Sequence, residues 1–196
     1  MRPIPPPMER KLMATADLFA ARGLDATKME DVAAVTGIPK ATLYYYFTGK
    51  EEILAFLFRQ VLGAVRQAVV RAASGPGSAA VRLGQVITAH LQVFADFPAA
   101  SRALQFDLGR AARLPDMAAS VEASFVGPVT RLLRDGAADG SLRAVPHPRM
   151  VAVALLGAVT TSGMNGLAPP RPGSVAELAE VVTGLVLKGL GREGTS

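Results

Sequence analysis

The sequence predicts an all-α fold of about nine helices, with a small N-terminal domain of three helices followed by a larger helical domain. Apolar residues recur at helical spacing through most of the chain, and glycine or proline separates the segments that carry them. No segment shows the alternating pattern of a half-buried strand. Half of the 196 residues are hydrophobic, which is enough for a sizeable core.

The first helix is predicted over residues 8–22. Leu12, Ala16 and Phe19 recur at the i, i+4, i+7 spacing of one helix face, and Gly23 supplies a C-terminal stop. The preceding residues, 1–7, are rich in proline and are expected to form a flexible arm.

A second helix is predicted to start at Thr27. Thr27 and Glu30 have the spacing of a capping box, in which each side chain bonds to the backbone of the other residue. Gly37 ends this helix after Thr36. Pro39 suits the first position of a third helix, because its missing N–H would have no helical partner there.

The third helix is predicted over 39–47, and the fourth runs from Lys50 to about Ala73. The glycine-rich segment 74–78 indicates a joint between domains. The remaining helices are predicted at 78–96, at 98–113, at 116–138 with a kink at Pro128, at 148–165, and up to Leu190 after a cap at Ser174.

The charge pattern is more informative than the net charge. The chain carries a net charge of +5, but residues 1–60 hold eight Lys or Arg and seven Asp or Glu, a difference of only +1. No acidic residue occurs from Val32 to Lys50, where two lysines and three consecutive tyrosines lie. A surface without carboxylates suits a polyanion.

Several classes of function are excluded or disfavoured. Without cysteine there is no disulfide, thiol chemistry or cysteine-containing zinc finger. The two histidines, His90 and His147, are far apart, so we expect no catalytic residues, metal or cofactor. The N-terminus lacks the apolar region of a signal peptide, and the longest apolar run, 150–159, is too short to span a membrane. We therefore expect a cytoplasmic protein without a membrane partner.

The second and third helices, joined by a glycine turn, have the pattern of a helix-turn-helix, which places its second helix in the major groove of DNA. The candidates for its outer face are Lys40, Ala41, Thr42, Tyr44, Tyr45 and Tyr46. The alternative is that the tyrosines only pack. However, three adjacent helical residues spread over about 200°, so at least one must face outward.

Three ordered patterns resemble the tetracycline-repressor (TetR) family. They are F-x-x-x-G at 19–23, T-x-x-x-D-V-A at 27–33, and G-I-x-K-A-T-L-Y-x-Y-F-x-x-K-E-E-I-L at 37–54. The resemblance implies a homodimeric regulator of double-stranded DNA, with a palindromic operator, in which residues 8–53 form the DNA-binding domain around a core at 28–47. Residues 54–196 would then form a helical domain for ligand binding and dimerisation.

The resemblance also implies individual roles. It implies phosphate contacts from Thr27, Lys28, Thr42, Tyr46 and Lys50, base or groove-wall contacts from Tyr44 and Tyr45, and a recognition helix that begins at Lys40 and Ala41. The chain departs from the family at Pro39, where serine is usual, which removes one side-chain cap and one phosphate contact.

His90 lies on the apolar stripe of its helix, and two interpretations stay open. It is either a satisfied core histidine or a polar anchor in a pocket for a small, largely apolar effector. The candidate ligand-binding residues are His90, Phe94, Gln105, Phe106, Phe125 and Asn165. The last two helices are rich in small residues, which predicts a four-helix dimer interface; a core within one chain is the alternative.

The sequence thus favours a ligand-responsive transcriptional repressor that binds a palindromic operator as a dimer. One alternative is a small helical ligand carrier or enzyme with an incidental helix-turn-helix. Another is a module whose apolar C-terminal helices bind a membrane or a partner.

Overall fold

A computed structural model describes residues 3–111, 117–167 and 173–190, with the side chains of 105–111 excepted. Every regular element in these ranges is helical, so the predicted all-α class is confirmed. The helices are α1 (Pro6–Met13), α2 (Thr15–Ala26), α3 (Met29–Thr36), α4 (Lys40–Tyr46), α5 (Lys50–Ala73), α6 (Ala79–Asp96), α7 (Pro98–Ala111), α8 (Met117–Val121), α9 (Gly127–Asp139), α10 (Pro148–Gly166) and α11 (Val175–Leu190).

A π-helical turn, Glu122–Val126, joins α8 to α9. Only Ala14, which keeps a right-handed helical backbone, separates α1 from α2. If α1 and α2 are counted as one helix, and α8 and α9 as another, the described residues contain nine helices, the number predicted.

The helices pack as two compact units. The first unit comprises Met1–Val61 and Phe97–Met117, and the second comprises Leu62–Asp96 and Ala118–Ser196. The turn at 74–78 was expected to divide domains, but it lies inside the second unit. One reason is that the Arg82 guanidinium donates to the carbonyl of Ala73 at 3.1 Å, which ties together the two sides of the turn.

The core of the first unit lies under the helix-turn-helix. Phe19 of α2, Val32 of α3 and Leu43 of α4 are fully buried, and Phe47 is almost so. Helix α2 packs against α7 within the same unit. The predicted stop at Gly23 is confirmed as a break in the helix, because its backbone has a φ of 71°, although helical structure resumes as far as Ala26.

The predicted capping box at Thr27 and Glu30 is wrong by one residue. Lys28 is the N-cap of α3, and its backbone N–H donates to Asp31 at 2.9 Å. Thr27 is instead buried, and its hydroxyl donates to the carbonyl of Gly23 at 2.7 Å. Burial of Thr27 directs its hydroxyl back toward α2 and leaves Asp31 to cap the helix.

The second unit is built around α6, which contacts α9, α10 and α11. Its residues Leu83, Ile87 and Leu91 are fully buried. The C-terminal residue of α9 caps this helix: Asp139 accepts from the N–H of Ala79 at 2.9 Å. A hydrogen bond from the Ser141 side chain, together with the bond from Ala79, lowers the pKa of the Asp139 carboxyl. A carboxylate at a helix N-terminus also stabilises the helix through the dipole.

The irregularity predicted at Pro128 lies just before that residue. Pro128 is the second residue of α9, and the π-helical turn Glu122–Val126 directly precedes this helix. By contrast, the predicted cap of α11 is confirmed: the Ser174 hydroxyl accepts from the N–H of Glu177 at 3.1 Å, and Glu177 accepts from the N–H of Ser174 at 3.0 Å.

One helix is long and apolar enough to cross a membrane on length and composition alone. In the described part of the chain this is α5, in which half of the relevant window is buried. The core helix of a soluble protein meets the same criterion.

Candidate nucleic-acid interface and ligand site

The turn between α3 and α4 is fixed by its own residues. Gly37 has a φ of 62°, a left-handed conformation that favours glycine. The Thr36 hydroxyl donates to the carbonyl of Val32 at 2.8 Å and accepts from the N–H of Ile38 at 3.2 Å. Because Ile38 is buried, the turn is anchored to the core and the start of α4 is set.

Helix α4 has one buried face and one exposed face. Leu43 is fully buried, whereas Tyr44 is 50% exposed and Tyr45 is 60% exposed. Tyr46 is half-buried, and its ring packs edge-on against Tyr45 with centroids 5.0 Å apart. Ala41 and Thr42 are also exposed. The phenol rings of Tyr44 and Tyr45 are therefore exposed to solvent on the helix that was predicted to recognise DNA.

Lys40 begins α4 and is paired with an acid of α3. Its ammonium donates to Glu30, and it also lies 5.8 Å from the centroid of the Tyr44 ring. The hydrogen bond from Lys40 lowers the pKa of Glu30, and the bond to Glu30 raises the pKa of Lys40. Both side chains are largely exposed, so water and salt can reach the pair.

Lys50 and Thr27 stabilise the fold of the first unit. The Lys50 ammonium donates to the carbonyls of Asp25 at 3.0 Å and Thr27 at 2.8 Å. Positive charge at these carbonyls satisfies acceptors at the end of α2. Thr27 is buried, so its side chain does not lie on the exposed face, whereas Lys28 does.

Sequence reasoning missed the acids of α3. The segment 32–50 contains no carboxylate. However, Glu30, which precedes this segment, accepts a hydrogen bond from Lys40 within it, ten residues further along the chain. Asp31 similarly faces Arg22 at 3.4 Å. Neither contact has a local sequence signal, because each joins residues of different helices.

In the second unit, the structure brings three of the predicted ligand residues together. The ring of His90 stacks on Phe94 with centroids 5.3 Å apart and is tilted against Phe125 at 5.0 Å. Burial in these apolar surroundings lowers the pKa of His90 to about 4. Its Nδ1 is buried without a hydrogen-bond partner among the described residues. The imidazole is therefore neutral at physiological pH and carries one unsatisfied polar atom.

Glycine in α10 makes room for this cluster. A Cβ added at Gly163 would lie 2.6 Å from the Phe94 ring, too close for any side chain without movement of the ring. Of the other predicted ligand residues, only Asn165 has a described side chain. Asn165 is exposed and donates to the carbonyl of Thr161 at 2.8 Å, while the side chains of Gln105 and Phe106 lie outside the described residues.

Helices α10 and α11 expose an aliphatic face. Met150 is 67% exposed and Leu185 is 70% exposed, which is unusual for side chains of this size. Val153 and Val181 are also exposed, and so are the small residues Ala154, Gly157 and Ala158. The two helices contact each other, so their exposed side chains can contribute to one surface.

A glycine-turned helix pair with exposed tyrosines, among described residues whose regular elements are all helical, is typical of helix-turn-helix proteins that bind DNA. Residues 12–56 match the family model for bacterial regulatory proteins of the tetR family. The matched segment contains the whole helix-turn-helix, from α3 to α4.

Curated transcriptional regulators are similar to part of this chain. The chain is 32% identical to the HTH-type transcriptional regulator RutR of Escherichia coli K12 over 91 residues, which are 46% of this chain and 42% of that protein. The match thus spans less than half of this curated relative.

Solved structures extend the likeness to the whole fold. The TetR-family transcriptional regulator PfmR of Thermus thermophilus is similar with a TM-score of 0.80 and 25% identity, over 93% of this chain and 100% of that one. The fatty acid degradation regulator FadR of Bacillus halodurans has a TM-score of 0.84 at 19% identity, over 97% of this chain and 100% of that one, which shows the shared fold.

Proposed function

We propose that the protein is a cytoplasmic, ligand-responsive transcriptional repressor that binds a palindromic operator as a homodimer. The observation that carries the proposal is the exposed pair Tyr44 and Tyr45 on α4, held outward by the buried Leu43. A tyrosine hydroxyl can donate to a phosphate or base edge, and its ring can pack on sugar or a thymine methyl.

Not all predicted DNA contacts are proposed to act alike. Lys28, Ala41, Thr42, Tyr44 and Tyr45 are exposed in the free protein and would reach DNA directly. Tyr46 would contribute its half-exposed edge, and Lys40 would act after leaving Glu30. Thr27 and Lys50 would act indirectly, by fixing the loop between α2 and α3.

The homodimer is supported by the aliphatic face of α10 and α11. Full burial of a Leu or Met side chain contributes about 1.5–3 kcal/mol, so exposing both without a partner would be unfavourable. Ala154, Gly157 and Ala158 would allow helices of a second copy to approach closely. A two-fold axis would present two copies of α4 to successive major grooves, about 34–36 Å apart.

The effector site is proposed at the cluster of His90, Phe94 and Phe125. Two aromatic rings offer an apolar surface, and the Nδ1 of a neutral imidazole can hydrogen-bond one polar group of a small, largely apolar effector. The effector would act by binding one subunit geometry better than another, which shifts the spacing of the two recognition helices.

The experiment that tests DNA recognition starts from selection of bound duplexes out of a random pool by the wild-type protein. The protein should enrich a palindromic sequence. Tyr45→Ala should weaken binding of that duplex about tenfold to a hundredfold, since it removes both ring and hydroxyl.

Tyr45→Phe is the matched control, because it keeps the ring and removes only the hydroxyl, so its loss should be the smaller one. Failure of the wild-type protein to enrich any sequence would refute sequence-specific binding. An unchanged affinity of Tyr45→Ala would remove Tyr45 from the interface.

A further inference from the structure

An acidic side chain stands beside the proposed reading surface and holds one of its lysines. Glu30 lies in the first turn of α3, and its carboxylate accepts from the ammonium of Lys40 at the start of α4. The side chain of Glu30 is 62% exposed and that of Lys40 is 46% exposed, so neither is fixed by burial. The same ammonium lies 5.8 Å from the centroid of the Tyr44 ring.

Three cations of the first unit have partners among the described residues. Arg22 lies 3.4 Å from Asp31, Lys40 is bonded to Glu30, and the Lys50 ammonium donates to two backbone carbonyls. The surface is thus poorer in available positive charge than its lysines suggest. This agrees with the small charge excess of residues 1–60.

We propose that Glu30 is a specificity-determining residue: it keeps Lys40 from the phosphates of unrelated DNA and releases it only at the operator. The inference rests on the proposed DNA-binding function. Binding to unrelated DNA is almost entirely electrostatic, so each cation withheld from phosphate lowers it directly. On unrelated DNA, few other favourable contacts would offset the cost of separating Lys40 from Glu30.

At the operator the balance differs, because Tyr44 and Tyr45 bring α4 close to the base edges. An exposed ion pair is weak and can be exchanged once a phosphate is held at contact distance. The cost of separating Lys40 from Glu30 therefore falls mainly on loose, sequence-independent complexes. If Glu30 instead oriented Lys40 for contact with DNA, removing the charge of Glu30 would weaken DNA binding.

The test compares Glu30→Gln, Lys40→Met and the double variant with wild type. Two duplexes serve as probes: the sequence that the wild-type protein selects from a random pool, and a scrambled duplex of the same composition. Binding is measured by fluorescence anisotropy across a salt series. Glu51→Gln is the matched control, because Glu51 is also exposed in the first turn of a helix and loses the same charge.

Glu30→Gln should raise affinity for the scrambled duplex about threefold to tenfold and steepen its salt slope by about one unit. Affinity for the selected duplex should change by less than about twofold, so discrimination falls. In the Lys40→Met background, Glu30→Gln should have no effect, and Glu51→Gln should leave discrimination unchanged.

The proposal is overturned if Glu30→Gln leaves scrambled-duplex binding unchanged, if it weakens selected-duplex binding as much as Lys40→Met does, or if its effect persists without Lys40. Any of these results leaves operator recognition standing. If the wild-type protein selects no duplex, the proposed function itself fails instead.

Discussion

The exposed sides of α4 and of α10 and α11 carry large side chains of opposite chemistry. On α4 the exposed groups are phenol rings, each with a hydroxyl at its tip. On α10 and α11 they are Met150, Val153, Val181 and Leu185, which have no polar atom for water to bond. The first surface is compatible with water, whereas the second has the chemistry of a surface that another protein covers.

The two units also differ in where their polar side chains lie. The first unit keeps its charged groups near solvent and pairs them, as in Lys40 with Glu30. The second unit buries His90 between two phenylalanines and leaves its Nδ1 without a partner among the described residues. Among the described residues, the first unit therefore has no buried side-chain nitrogen or oxygen without a hydrogen bond, whereas the second has the Nδ1 of His90 and the Nε of Arg82.

The largest expected effect concerns the aliphatic face. In the proposed dimer, Leu185→Glu would bury a charge from each subunit at the interface and should weaken dimerisation at least about a hundredfold. Sedimentation velocity over a dilution series measures it. Val81→Glu is the control, because Val81 is 53% exposed on α6, outside this face. Unchanged sedimentation of Leu185→Glu would mean that the dimer uses another surface.

A smaller effect is expected from the buried histidine. Its pKa of about 4 lies below the ordinary value of 6.5, so the unfolded chain binds a proton first as the pH falls. Stability from neutral His90 is thus fully present above about pH 6.5 and is lost progressively down to about pH 4, by about 3 kcal/mol in total.

His90→Phe keeps an aromatic ring but cannot take a proton, so it should flatten this part of the pH profile. Urea unfolding at pH 7, 6, 5 and 4 provides the measurement, with His147→Gln as the control that removes the other histidine. Equal slopes for wild type and His90→Phe would show that His90 is not desolvated in the folded state.

The smallest expected effect sharpens the role of Lys50. Lys50→Met removes two hydrogen bonds to backbone carbonyls and should lower the free energy of unfolding by about 1 kcal/mol. Lys28→Met removes an exposed lysine of the same loop and should change stability little. If both variants unfold alike, Lys50 does not support the loop, and a direct phosphate contact becomes its main role.

Local signals made the helix boundaries predictable. Gly37 and the pair Ser174 and Glu177 act within a few residues of themselves, so their effects follow from the sequence. The capping box of α3 was not decided locally, because Thr27 with Glu30 and Lys28 with Asp31 have the same spacing. Burial of Thr27, a property of the packed unit, decided between the two registers.

Contacts between distant residues were not predictable. Lys50 reaches the carbonyl of Thr27, 23 residues away, and Asp139 caps Ala79, 60 residues away. Similarly, His90 could be placed on an apolar stripe, but its stacking on Phe94 and its contact with Phe125 depend on how α6 packs against the π-helical turn. The class of the candidate site followed from the sequence, whereas the pairing of its charges did not.

The π-helical turn at Glu122–Val126 also affects how relatives can be aligned with this chain. A π-helical bond spans one residue more than an α-helical bond, and each residue of a helix turns the next by about 100°. A relative with an unbroken α-helix here would therefore present a different residue where Phe125 faces His90. An alignment without a gap at this turn would transfer ligand contacts to the wrong neighbour for every position that follows.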